Sequence, residues 1–186
     1  AFIGDLEDAC QNGEWEKAES FLADIFIASD RSRGAFDALA SLALQDCPQN
    51  ALYVYHILRA YQFQEQKEDN WTFTCSLFNY IKNRELPRPH KKEKINIEAL
   101  WDDVIKDGDI VLFSAMNRIL ENQYTRSQAY NREITFWMSK INFSKLKYSK
   151  QQKKLKNSKP TSFMGLAEQI ISMEKLESQK LLDIVT

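Results

Sequence analysis

Glycine and proline are scarce in this sequence, five and four residues in 186. An all-β sandwich turns about every 8 to 12 residues and relies on those two types to do so, which sets that class aside. Histidine is rarer still, with only His56 and His90, and the three cysteines, Cys10, Cys47 and Cys75, form no CxxC pair. HExxH is missing too, so the ligand sets of common zinc sites are absent. An odd number of widely spaced cysteines is no disulfide framework and fits the reducing cytoplasm or nucleus. No apolar run reaches the ~18 residues that a membrane span needs, and the mean hydropathy is −0.49. A soluble chain without membrane contact is expected. Its start, Ala1-Phe2-Ile3-Gly4-Asp5, has neither an initiator Met nor a signal-like profile, which reads as a piece of a longer protein.

What is present is apolar surface. With 44% hydrophobic residues, among them 11 Phe, 7 Tyr and 4 Trp, the chain carries more than a disordered one does. Its length suits one domain or one run of stacked repeats. Charge is balanced overall, 25 Lys plus Arg against 26 Asp plus Glu, but unevenly placed. From Ile134 to Ala167 no acidic residue occurs, while Lys140, Lys145, Lys147, Lys150, Lys153, Lys154, Lys156 and Lys159 all do.

Periodicity predicts helices. Leu6, Ala9 and Cys10, then Asn12-Gly13, then Trp15, Ala18, Phe21, Leu22, Ile25 and Phe26 recur at steps of three and four, so residues 3–28 read as a helical hairpin. Phe36, Leu39, Leu42 and Ala43, a break at Asp46-Cys47-Pro48, and Ala51, Val54, Tyr55, Leu58 and Tyr61 give a second hairpin over 35–64. Trp71 to Leu77 alternates like a strand, but Leu77, Phe78 and Ile81 continue in helical steps, and a lone strand would have no partner for its backbone groups. Helix is the better reading. Pro87-Arg88-Pro89-His90-Lys91-Lys92-Glu93-Lys94 cannot join a helix and forms a basic surface loop over 84–94. Ile97, Leu100, Trp101, Val104 and Ile105 make the next stripe, closed by Asp107-Gly108-Asp109, and Leu112, Phe113, Met116, Ile119 and Leu120 the one after. Thr125 with Gln128 has the capping-box spacing ahead of a helix with Ala129, Ile134, Phe136 and Trp137. Seven to nine helices in antiparallel hairpins are expected, as an all-α domain over 1–139. A lysine-rich loop or linker follows over 140–161, and an amphipathic helix with Phe163, Leu166, Ile170, Met173 and Leu176 packs on the domain over 162–186.

The phrase Asn12-Gly13-Glu14-Trp15-Glu16-Lys17-Ala18 between apolar helices resembles the inter-helix segment of tetratricopeptide and pentatricopeptide repeats. Glu121-Asn122-Gln123-Tyr124-Thr125-Arg126-Ser127-Gln128-Ala129 resembles a looser copy, one residue longer and lacking the glycine. The resemblance covers about two hairpins, shows no fixed ~34-residue period, and implies an α-solenoid with a concave binding face rather than a base-reading code.

Catalytic chemistry finds little support. There is no GxxxxGK[ST], GxGxxG or GxSxG, and no cofactor is implied. His56, between Tyr55 and Ile57, is read as a core or boundary side chain, and His90 as a solvated loop residue. Asp103, Asp107 and Asp109 lack the ligand spacing of a calcium loop and read better as helix caps. Trp15, Trp71, Trp101 and Trp137 read as core, with indole N–H groups that need partners. A non-catalytic scaffold that receives a partner protein is therefore expected, with exposed members of the stripes near Tyr53, Tyr61 and Phe63 and the C-terminal residues Leu166, Ile170 and Met173 as contacts. The alternative is a module for RNA or another single-stranded nucleic acid. There Arg88, Lys91, Lys92 and Lys94 join Lys145, Lys147, Lys150, Lys153, Lys154 and Lys156 as one basic surface, with Phe143, Tyr148 and Arg126 to stack on bases. A solvated loop, or an import signal at Lys153-Lys154-Leu155-Lys156, accounts for the lysines without a ligand. Self-association through the last helix is a third possibility.

Overall fold

The chain begins with α1 (Ile3–Gln11) and α2 (Trp15–Ala28), the expected hairpin, and the turn between them shows why Gly13 stands there. Glu14 N–H reaches back to the Ala9 carbonyl at 2.9 Å and Gly13 N–H to that of Cys10 at 3.2 Å, with Gly13 at φ +75°. This is a Schellman closure, whose left-handed position glycine occupies without strain. Asp30 and Asn83, at φ 53° and 66°, hold the equivalent left-handed positions after α2 and α5, as short polar side chains can.

The computed structural model of the chain describes residues 1–30, 32–64, 69–105, 110–121 and 128–142, the side chains of Trp101, Ile105 and Gln128 excepted. Within them follow α3 (Gly34–Ala43), a 3-10 turn (Leu44–Asp46), α4 (Cys47–Gln62), α5 (Asn70–Ile81), α6 (Ile97–Ile105), α7 (Ile110–Glu121) and α8 (Gln128–Lys140). Every described element is helical. Asp107-Gly108-Asp109, Thr125, Arg126, Phe143, Tyr148, the lysines from Lys145 on, and Leu166, Ile170 and Met173 lie outside the described residues.

Local chemistry explains the less obvious helices. Pro48 sits in the first turn of α4, where its missing N–H costs nothing, and Asn50 donates across the break to the Ala43 carbonyl at 2.9 Å. In α5 the hydroxyls of Thr74 and Ser76 bond back to the carbonyls of Asn70 and Thr72. A threonine only 1% exposed is thereby satisfied inside the helix, and the strand-like alternation is accommodated.

α3 is the hub. Eight of its ten residues are buried, and α1, α2, α4, α5 and α8 all pack on it. The first five helices alternate in direction, so their ends gather at two poles. At one pole Ile3 lies against Gly34, Phe26 against Trp71 at 4.9 Å, and Tyr61 against both Phe36 and Phe73 at 4.5 and 5.6 Å. At the other, Gln11 meets Gln45, and Trp15 meets Phe78 edge-on at 6.2 Å. α8 closes the side of the array: Tyr130 donates to Asp37 at 3.1 Å and Trp137 to the Gln45 carbonyl at 2.9 Å, so it runs in the same sense as α3. Among the described residues no helix is long and apolar enough to cross a membrane.

Candidate functional site

Two surfaces stand out, one at each pole. The first is aromatic. Of the six large hydrophobic side chains exposed among the described residues, Phe2, Ile3, Ile27, Phe63 and Trp71 lie at the helix ends described above, and only Val111 lies elsewhere. Phe2, Ile27 and Phe63 are 82%, 75% and 73% exposed. Beneath them, Arg33 lies over the Tyr61 ring at 4.9 Å and donates to Asp37 at 2.9 Å. Exposed charges of both signs, Asp5, Arg59 and Asp69, lie at the same helix ends.

Of the three described side chains expected to contact a partner protein, Tyr53, Tyr61 and Phe63, only Phe63 is exposed. Tyr61 is buried at 7% exposure because Phe36, Phe73 and Arg33 enclose its ring. Tyr53 is half-buried, stacked on Tyr80 at 3.8 Å with its hydroxyl on the Ser76 carbonyl at 3.1 Å, so it joins α4 to α5. Burial raises the pKa of both phenols. Trp71 is at the core's margin, Trp15 and Trp137 are partly buried against the core, and the Trp137 indole finds the partner it needs.

The second surface is the segment from Lys82 to Asn96, which links α5 to α6 without helix. It is more than a surface loop. Leu86 is buried, the Leu86 carbonyl accepts from the Gln11 amide at 2.8 Å, and the Pro87 carbonyl accepts from both Gln11 and Gln45. Farther on, His90 corrects the solvated reading. Its backbone N–H donates to Glu133 Oε1 at 2.9 Å, its Nδ1 lies 2.7 Å from Oε2, and its ring stacks on Phe136 at 3.9 Å and 10°. Glu133 is 0% exposed. His56 is the reverse correction: it is exposed, because Tyr55, Ile57 and Leu58 take the inward positions of α4. Between and beyond the anchors Arg88, Lys91, Lys92 and Lys94 are all exposed.

The cysteines pack as small apolar groups. Cys10 and Cys47 are buried, and burial, with Glu7 adding, pushes the Cys10 thiol up to about 12. Burial likewise holds Cys47 well above its ordinary value. Among the described residues no group of three or more His, Cys, Asp or Glu is placed to hold a metal ion. Sequence reasoning missed Gln11, Gln45 and Glu133, and no local signal marks them, since their partners lie 34 to 76 residues away. Comparison of the chain with protein-family models, with curated proteins and with solved structures finds no match.

Proposed function

We propose that the chain is a non-catalytic helical adaptor of the cytoplasm or nucleus that holds an apolar segment of a partner protein at its aromatic pole. In this reading the hairpins α1–α2 and α3–α4, with α5 behind them, stack in the tetratricopeptide manner. Packing of α1 on α3 and of α3 on α5, alongside the pairs within each hairpin, supports that stacking.

The observation that carries the reading is the gathering at one pole of five of the six large hydrophobic side chains exposed among the described residues. Single exposed apolar side chains are ordinary, whereas a contiguous set rimmed by charge marks contact surfaces. Phe2, Ile27 and Phe63 together offer roughly 5–9 kcal/mol on burial. Association costs about 4–15 kcal/mol, so the apolar anchors alone support a weak complex, and the charges at the same helix ends have to add to it.

The test is affinity capture from cell extract, with and without nuclease, using the wild type and the Ile27→Ser/Phe63→Ser variant. Proteins retained by the wild type after nuclease and lost by the variant support the adaptor reading. An identical set on both proteins overturns it, as does a set that disappears with nuclease. Truncation after Pro160 with measurement of sedimentation mass tests self-association: a fall to monomer would place a second copy, rather than a foreign protein, as the partner.

A further inference from the structure

The opposite pole carries a surface of different chemistry. The segment from Lys82 to Asn96 is irregular, and irregular backbone of such length inside a compact fold is commonly functional. It is fixed at two places by side chains from other helices, Gln11 and Gln45 at Leu86 and Pro87, and Glu133 at His90. Neither anchor uses Arg88, Lys91, Lys92 or Lys94. The buried carboxylate is spent on the backbone N–H and ring of His90, which leaves Arg88, Lys91, Lys92 and Lys94 pointing to solvent with Glu93 as the one carboxylate among them. Four cations on a pinned segment repel one another and gain from a polyanion that replaces their counterions.

An acidic peptide and a nucleic acid both supply negative charge, and the neighbouring rings decide between them. His90 lies parallel on Phe136 at 3.9 Å, with Trp137 edge-on to it at 5.4 Å. His90 remains 20% exposed. Arg132, one position before Glu133, adds a guanidinium 3.7 Å from that carboxylate, and its buried Nε has no hydrogen-bond partner. Aromatic faces set among cations are the equipment for unpaired bases, whereas acidic peptides need only the charge.

We propose that the strap from Arg88 to Lys94 binds the phosphate backbone of a single-stranded nucleic acid, with His90 on Phe136 as a stacking platform. Lysine in three of the four places makes these point-charge contacts, tolerant of sequence. The surface is distinct from the aromatic pole, and binding here stands or falls independently of the adaptor reading.

The experiment is fluorescence anisotropy of a labelled oligouridylate, about 15 nucleotides long, with the full chain at several salt concentrations. Four phosphate contacts at about −0.7 each give a slope of log affinity on log salt near −3 or steeper, hence on the order of 50-fold weakening from 50 to 200 mM salt. The variant Arg88→Gln/Lys91→Gln/Lys92→Gln/Lys94→Gln, with an unchanged circular-dichroism spectrum, is expected to flatten that slope by about 3 and to bind at least about tenfold more weakly at 50 mM salt. Phe136→Leu is expected to weaken binding by about tenfold while leaving the slope unchanged. Ile27→Ser/Phe63→Ser is expected to bind as the wild type does. No binding by the wild type at 50 mM salt, or wild-type affinity and slope in the fourfold variant, overturns the proposal. So does competition by polyglutamate as effective as that by unlabelled oligouridylate, which would make the strap a site for acidic protein instead.

Discussion

Both carboxylate oxygens of Glu133 reach His90, 43 positions earlier in the chain. Oε1 accepts from the backbone N–H, and Oε2 accepts from the ring in the tautomer that carries its proton on Nδ1. Hydrogen bonds to a buried charge are worth about 1.5–3 kcal/mol each. Glu133→Ala is therefore expected to destabilise the chain by about 3 kcal/mol in urea unfolding, and Glu133→Gln by less, since its amide oxygen can still accept from the backbone. Equal stability of all three proteins would show that the strap is not fastened in solution.

Tyr130 to Asp37 is the corresponding tie between α8 and α3, from a tyrosine only 1% exposed. Tyr130→Phe keeps the ring and loses the bond, for an expected cost of about 1 kcal/mol. Asp37→Ala is expected to cost more, because it also releases Arg33. A double-mutant cycle on the two positions measures the coupling directly, and additive effects would mean that the bond is absent.

Packing predicts a contrast between hub and pole. Leu39 is 0% exposed at the centre of α3, so Leu39→Ala is expected to cost about 2–5 kcal/mol. Phe63→Ser, at an exposed position, is expected to stay within about 0.5 kcal/mol of wild type. Urea midpoints of the two variants check this, and comparable losses in both would mean that Phe63 is packed.

Thiol reactivity separates the cysteines. With its thiol pushed up to about 12, Cys10 holds on the order of a thousandfold less thiolate than an ordinary cysteine at mildly alkaline pH. Cys75 is half-buried, and burial and the Glu19 charge raise its pKa. An aromatic disulfide reagent is expected to label one thiol, Cys75, quickly, and the other two only on unfolding. Fast loss of all three thiols from the folded chain contradicts this arrangement.

Glu7 and Asp46 set a pH dependence. Burial raises the carboxyl pKa of each, with Asp8 adding at Glu7 and Arg132 opposing. A folded pKa above the unfolded one favours folding below the unfolded value, near 4, and that contribution is lost as pH rises through the folded value. Glu7→Gln is accordingly expected to raise the melting temperature at pH 7 and to leave it unchanged near pH 3.5. A lower melting temperature at pH 7 would show the Arg132 attraction to outweigh burial.

The helices were legible because burial repeats with the turn of the helix: the stripes of Leu6 to Phe26, Phe36 to Ala43 and Ala51 to Tyr61 each mark an inward face. Gly13 was legible for a related reason, since a short turn between two such stripes demands a left-handed residue. The four strap cations were also readable as part of a surface loop, because Pro87 and Pro89 interrupt any helix there. The gathering at one pole of five of the six large hydrophobic side chains exposed among the described residues was not readable, as it follows from which helix ends meet.

Sequence by itself determined an all-helical chain with two opening hairpins and a charge distribution split between segments. Tertiary structure decided the roles of the polar residues. His56 sits among apolar neighbours and faces water, whereas His90 sits among lysines and lies on Phe136. Glu133 occupies a helix position that sequence would assign to solvent, yet it is the buried acceptor that holds the strap. The reason is physical: burial of an apolar side chain is a non-directional gain that any neighbour can supply, so its pattern is local. A buried polar group persists only where a particular donor from a distant part of the chain meets it, and that meeting exists only in the folded molecule.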